Sequence, residues 1–530
     1  MSSDASTSPG RRWSATGAIV AALFWIIAWL PSLLPLGSVI EGVALGTTAA
    51  VGYGLGAAAS AIAHRIAGSR TGQPAAAPTS AAAPTPAPAP APTPKRRPVR
   101  VWVAVVAVVV ALLVGLPMSR ALAAQAQELG SPSLAPAWWL SSLIGLVVVA
   151  LLVAIARGLR RLSRWLARKL WRRTGRAAPA LGGVTTLVAG VVLVAVAVAA
   201  MGLAFDQIDT SEKGQTAPTS STRSGGPGSL ISWSSLGHEG RKFVTGGATQ
   251  TTIRSFAGLG SAATPQARAD LAIEDLLRAG GATKRTWVVI STTGNGQIDP
   301  VAAAAAETAT GGDVALVATQ YSTLPSWLSL LTDGAAAGAA GEALLTSANR
   351  ARAALPASSR PRLILYGESL GANGSAQAFQ GMTPEQVIQQ VDGALWVGPP
   401  SSAQPITGWT DSGTPPRWQP VVGGGAVVRY AATAAAAAAP PGDVPWGPKR
   451  ILVLANPTDP VVYFAGGLVY SRPDWLDEPR GPGVAAGTAW TPLLFYLAVA
   501  FDLPPAVGMP AGAGHDYSDA LPAAWRQVLG

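Results

Sequence analysis

The chain has 530 residues, a formal net charge of +11 and no cysteine, which excludes disulfides, thiolate nucleophiles and cysteine-ligated zinc. The first 205 residues hold 18 Lys and Arg against 3 acids, and the remainder holds 20 against 24. Because the basic excess flanks apolar stretches, it reads as a membrane-topology signal and excludes the nucleic-acid surface that the overall charge suggests.

In chain order, residues 1–205 read as an α-helical transmembrane domain. Five apolar segments, 13–35, 39–63, 101–117, 136–156 and 178–205, are long enough, or nearly so, to cross about 30 Å of hydrocarbon. Glycine and Glu41 dilute the second, and the third is short. Residues 69–100 contain a Pro/Ala tract that has no means of building a core and is expected as an extended linker. After the fourth segment, residues 157–176 carry nine basic residues and no acid. Leu159, Leu162, Trp165, Leu166 and Leu170 recur there at near-helical spacing, so this stretch reads either as a helix in the headgroup region or as a solvated loop. If the five spans alternate, almost all the flanking basic residues share one side, the cytoplasm, and everything after residue 205 lies outside.

Residues 206–228 turn to Ser, Thr, Gly and Pro and are expected as a tether; 229–530 have the composition of a soluble α/β domain. Short apolar runs at 286–291, 313–320, 362–367, 393–398 and 450–456 predict strands. Helical patterns lie between or beside them at 267–278, 336–353, 369–379 and 384–390. Apolar strands separated by helices imply a mostly parallel sheet covered on both faces, with ligands at the carboxyl ends of the strands.

One strand ends in "LILYGESLGAN" (363–373), a G-x-S-x-G pattern at a strand-to-helix junction. Glycines two residues before and after Ser369 relieve the crowding of such a turn. The turn would lift the hydroxyl above the sheet edge, beside N–H groups at the helix start. A serine needs a base, and the chain has three histidines. His64 flanks a membrane segment and His238 precedes the strands, whereas His515, in "GAGHDYSD", follows the last strong strand and is the expected base. Asp459 directly follows the run at 450–456 and is the expected acid, which would hold the imidazole tautomer. For the oxyanion, the N–H of Leu370 would act with that of Thr293 or Gly294 in "STTGNGQIDP" (291–300), the loop after the strand at 286–291. Trp327, Trp396, Trp409 and Trp490 are candidates to line an acyl site. No His/Asp/Glu cluster has metal-ligand spacing, so no metal or cofactor is expected.

Six segments together resemble a membrane α/β-hydrolase family of actinobacteria that joins a multi-span amino-terminal domain to a catalytic domain. They are "GRKFVTGG" (240–247), "TTGNGQIDP" (292–300), "TQYSTLPSWLSLL" (319–331), "LYGESLGA" (365–372), "NPTDPVVYF" (456–464) and "GHDY" (514–517). The resemblance implies an α/β-hydrolase fold with Ser369, Asp459 and His515 as its triad, and brings no substrate. Gln297 departs from the pattern, which would carry an aromatic at or near that position.

The expected function is a membrane-anchored serine hydrolase, esterase- or lipase-like, cleaving or transferring an acyl group through an acyl-enzyme. Its expected partners are the lipid bilayer and an acyl or ester substrate, such as a lipid or cell-envelope component, and no nucleic acid. The alternative is a catalytically inactive, hydrolase-like binding or transport-associated membrane protein. Glu41 within a span supports that alternative slightly, and the intact Ser, Asp and His argue against it. The sequence leaves the oligomeric state open.

Overall fold

The computed structural model describes residues 14–70, 97–174, 203–212, 214–247, 251–326, 328–329 and 334–530. These form two compact units. The first is drawn from residues up to 164; the second comprises residues 165 onward with the short pieces Ser32–Leu34 and 128–131.

The first unit is helical: Ala15–Ala28 (α1), Gly37–Arg70 (α2), Arg97–Glu128 (α3) and Trp138–Thr174 (α4). Within α2, α3 and α4, the stretches Gly37–Ala63, Trp102–Glu128 and Trp138–Leu162 are long and apolar enough to cross a membrane. With 14 residues, α1 is shorter than the expected segment 13–35. Pro31 and Pro35 explain the difference, since neither proline nor the residue before it favours continuing a helix. The glycines that dilute α2 have a packing purpose. An added Cβ would lie 2.6 Å from Gly145 O at Gly46 and 2.8 Å from Thr16 O at Gly56, so these positions let α4 and α1 approach α2 closely. The third expected segment runs on past Pro117 to Glu128, and the basic stretch after the fourth begins as a continuation of α4. Residues 71–96 of the linker and 178–202 of the fifth expected span lie outside the described residues.

The second unit is built on seven strands: Ile253–Ala257 (β1), Thr286–Ser291 (β2), Val314–Thr319 (β3), Arg362–Glu368 (β4), Gly393–Val397 (β5), Val428–Ala431 (β6) and Arg450–Leu454 (β7). All pairings are parallel, in the order β1-β3-β2-β4-β5-β7-β6, so β4 is central. The interior strands are buried on both faces, as their near-continuous apolar runs require. Helices Pro265–Arg278 (α5), Gly334–Ala354 (α7) and Leu370–Gln377 (α8) pack together, and Pro300–Ala309 (α6) packs with Leu521–Leu529 (α9). Trp287, Trp396 and Trp525 are fully buried in the core between the layers.

The second half of the expected tether is part of this unit. Arg223 bridges Arg254 in β1, the Ser224 N–H donates to Arg254 O at 3.1 Å, and Arg223 and Ser224 are buried. Their pairing covers the open edge of β1, whose backbone groups would otherwise lack partners.

Candidate active site

Ser369 stands between β4 and α8 with φ 54° and ψ −125°, a left-handed backbone conformation that is costly for a non-glycine residue and typical of functional turns. Its N–H is anchored to Val397 O at 2.8 Å. The flanking glycines are sterically required: a Cβ on Gly367 would lie 2.4 Å from Gly371 O, and one on Gly371 would lie 2.2 Å from Ser291 O. Thus the turn can form only with hydrogen at both positions. Leu370 opens α8, so its N–H has no intrahelical acceptor.

Asp459 is fully buried after β7. Its Oδ1 accepts from the Val461 N–H at 2.8 Å, which starts the turn Pro460–Tyr463. Its Oδ2 lies 2.6 Å from His515 Nδ1 and accepts from the Tyr517 hydroxyl at 2.6 Å. A carboxylate on Nδ1 fixes the proton there and leaves Nε2 as the acceptor, the tautomer a general base requires. The loop carrying His515 is clipped to the end of β7: Asn456 Nδ2 donates to Gly514 O and Asp516 O, and the Gly514 N–H donates to Thr458 Oγ1. Gly398, after β5, lies under the ring, where a Cβ would come 2.5 Å from His515 Cε1. Ser369 and His515 are each 8% exposed, so the site is enclosed. No hydrogen bond joins the Ser369 hydroxyl to the ring among the described residues; such bonds commonly tighten only when substrate is seated.

Burial works to lower the His515 pKa, but the Asp459 carboxylate, with its hydrogen bond, and the charges of Glu368 and Asp516 outweigh it, and the pKa is raised. Glu368, the variable residue of the elbow, accepts from the Tyr366 hydroxyl at 2.9 Å. Burial and then the charge of Asp299 push Glu368 up to about 7, against the opposing pull of His515 and the Tyr366 hydrogen bond.

The loop after β2 differs from its expected use. The Thr293 N–H donates to Gln297 O at 3.1 Å and the Gly294 N–H to Tyr321 Oη at 2.8 Å, so both backbone donors already have acceptors. Among the tryptophans expected at an acyl site, Trp396 is a core residue whose Nε1 donates to Ser375 Oγ, and Trp409 packs against it. Trp490 donates to Leu468 O, and Trp327 lies outside the described residues. Tyr517, Asn456, Thr458 and Gly398 escape sequence reasoning because only the fold gives them partners. The nearest signal is that Tyr517, Asn456 and Thr458 lie in the motifs "GHDY" and "NPTDPVVYF".

Comparison with known proteins agrees with this architecture. No curated protein and no solved structure matches the chain. A model described as the alpha/beta-hydrolase family matches residues 253–530, more than half the chain, and a model described as the N-terminus of that family matches residues 30–248. The chain, with its parallel sheet and strand-to-helix serine, therefore belongs to the alpha/beta-hydrolase family.

Proposed function

We propose that the protein is a membrane-anchored serine hydrolase that cleaves, or transfers to an alcohol, the acyl group of an ester through a covalent acyl-enzyme. The observation that carries the reading is the 2.6 Å contact of Asp459 with His515 Nδ1, made at the same sheet edge as a serine held at positive φ. In the reaction, His515 Nε2 takes the Ser369 proton as Oγ bonds to the carbonyl carbon. The resulting imidazolium is stabilised by Asp459 and returns its proton to the leaving alkoxide. Water or a second alcohol then attacks the acyl-enzyme by the same route in reverse.

Three apolar helices of spanning length support anchoring. The basic residues beside them support a catalytic domain on the side away from the cytoplasm. Anchoring would concentrate an ester that itself resides in the envelope, which supports a lipid or cell-envelope substrate. The reading is tested by a fluorophosphonate probe on the purified full-length chain. Wild type is expected to be labelled and folded Ser369→Ala to be blank; equal labelling of the two removes the proposal.

A further inference from the structure

A small residue on a membrane helix ordinarily marks a close approach, because helices in lipid associate through packing rather than through the hydrophobic effect. Along α2 this holds at Gly42 and Gly46, where an added Cβ would lie 2.6 Å from Ile144 Cβ and 2.6 Å from Gly145 O of α4. About two turns further along the same face it fails. A Cβ on Gly54 meets nothing within 4 Å among the described residues. The two helices therefore touch at one end and part toward the other. Between Ala50, Gly54 and Ala57 of α2 and Val153 and Ala156 of α4, a cleft of about 190 Å³ opens beside the start of α1.

The rim of this cleft is basic. Arg157 and Arg160, one turn apart on α4, line it together with Tyr53 and Ser14, and none of its lining residues is acidic. Tyr53 fixes the arrangement: its hydroxyl accepts from Arg157 Nη2 at 3.3 Å and from the Ser14 N–H at 3.4 Å, tying the guanidinium to the start of α1. The Tyr53 ring lies against α1, where a Cβ on Gly17 would come 3.1 Å from it. Such a side chain, with an apolar body and a polar tip, suits the boundary between hydrocarbon and headgroups. In a bilayer, an open wedge between helices is filled by lipid, since an empty one forfeits its contacts, and the charge at its rim selects which lipid.

We propose that this cleft holds one anionic phospholipid, with its phosphate at Arg157 and Arg160 and the upper part of one acyl chain against Gly54, Val153 and Ala156. The occupant follows from the chemistry of the lining. A guanidinium fork matches two phosphate oxygens, and the apolar floor suits methylenes but offers free phosphate nothing. A zwitterionic headgroup brings a cation, which two arginines repel and no acid in the cleft receives. The proposal rests on the anchoring reading above and is independent of the catalytic one.

The test is native mass spectrometry of the purified full-length chain in a neutral detergent. It is titrated with phosphatidylglycerol, with phosphatidylcholine of the same chains, and with inorganic phosphate. One phosphatidylglycerol per chain is expected to be retained over phosphatidylcholine by about tenfold or more, the attraction of two arginines near a lipid headgroup. Arg157→Gln combined with Arg160→Gln should bring the two lipids to within about twofold of each other. Gly54→Leu should do the same, because it keeps both arginines and fills the cleft where nothing stands within 4 Å. Arg120→Gln, at an exposed arginine of α3 outside the cleft, should keep the wild-type preference. Equal retention of the two lipids by wild type overturns the proposal. So does a preference that survives the double substitution or Gly54→Leu unchanged, which would put the lipid elsewhere on the helices. Displacement of the bound lipid by millimolar phosphate overturns the lipid assignment and leaves a phosphate site. A full-length chain that stays soluble without detergent removes the anchoring reading and this proposal together, whereas a membrane-inserted chain without lipid preference removes this proposal alone.

Discussion

Each residue of the site has a physical reason to be the residue it is, and substitution probes those reasons separately. Asp459→Asn keeps the shape but offers Nδ1 a donor where an acceptor is needed, so the ring flips tautomer. A kcat loss of about 10⁴-fold is expected, measured as steady-state ester hydrolysis. Glu368→Gln keeps the partner of Tyr366 while removing a charge that raises the His515 pKa. In the proposed mechanism a neutral ring is the base, so wild-type kcat/KM should rise as pH passes through the His515 pKa, and Glu368→Gln should move that acid limb to lower pH. The same substitution has a stability consequence of fixed sign. Glu368 is raised from 4.5 to about 7 in the folded state, so its contribution is fully present below pH 4.5 and is lost as pH rises through 7. Glu368→Gln should therefore gain stability relative to wild type at pH 8 compared with pH 4, read by thermal unfolding. An acid limb that stays in place would show that Glu368 does not act on the ring.

At the scale of elements, the strands most legible in the sequence were those buried as plain apolar runs, β2, β3, β4, β5 and β7. Two strands were hidden for different reasons. β1 reads "IRSFA", and its Arg254 is buried because Nε pairs with Glu307 at 2.7 Å and Nη1 donates to Phe243 O; a polar residue satisfied only by tertiary partners leaves no apolar signature. β6 is a four-residue edge strand, too short for periodicity to register. The elbow was readable because sterics constrain it locally, and Asp459 and His515 because chain order and strand ends constrain them. The loop after β2 was expected to supply an oxyanion donor, but the commitment of its amides depends on Gln297 and Tyr321, which sequence spacing does not disclose. The elbow's steric argument is itself testable. Gly371→Ala would drive a Cβ into the Ser291 carbonyl and should cost about 1–3 kcal/mol, seen as a lowered Tm, whereas Gly54→Ala, with nothing within 4 Å, should be neutral.

For the whole molecule, residues 1–205 carry a basic excess and residues 206–530 a slight acidic one, and the proposed topology follows from that division. A chain without cysteine is suited to single-cysteine labelling. A membrane-impermeant maleimide applied to intact cells should modify Thr219→Cys, an exposed position before the catalytic sheet, and spare Thr85→Cys in the Pro/Ala linker. The reverse pattern would put the catalytic unit in the cytoplasm.

The central claim, that an acyl group passes through Ser369, is tested most directly by trapping it. Full-length protein is mixed with a p-nitrophenyl ester, quenched in acid within the first turnover and digested for mass spectrometry. The acyl mass is predicted on the peptide that contains Ser369, with a p-nitrophenol burst close to one per chain. Ester hydrolysis that persists undiminished in Ser369→Ala, or an acyl group found on another residue, would contradict it.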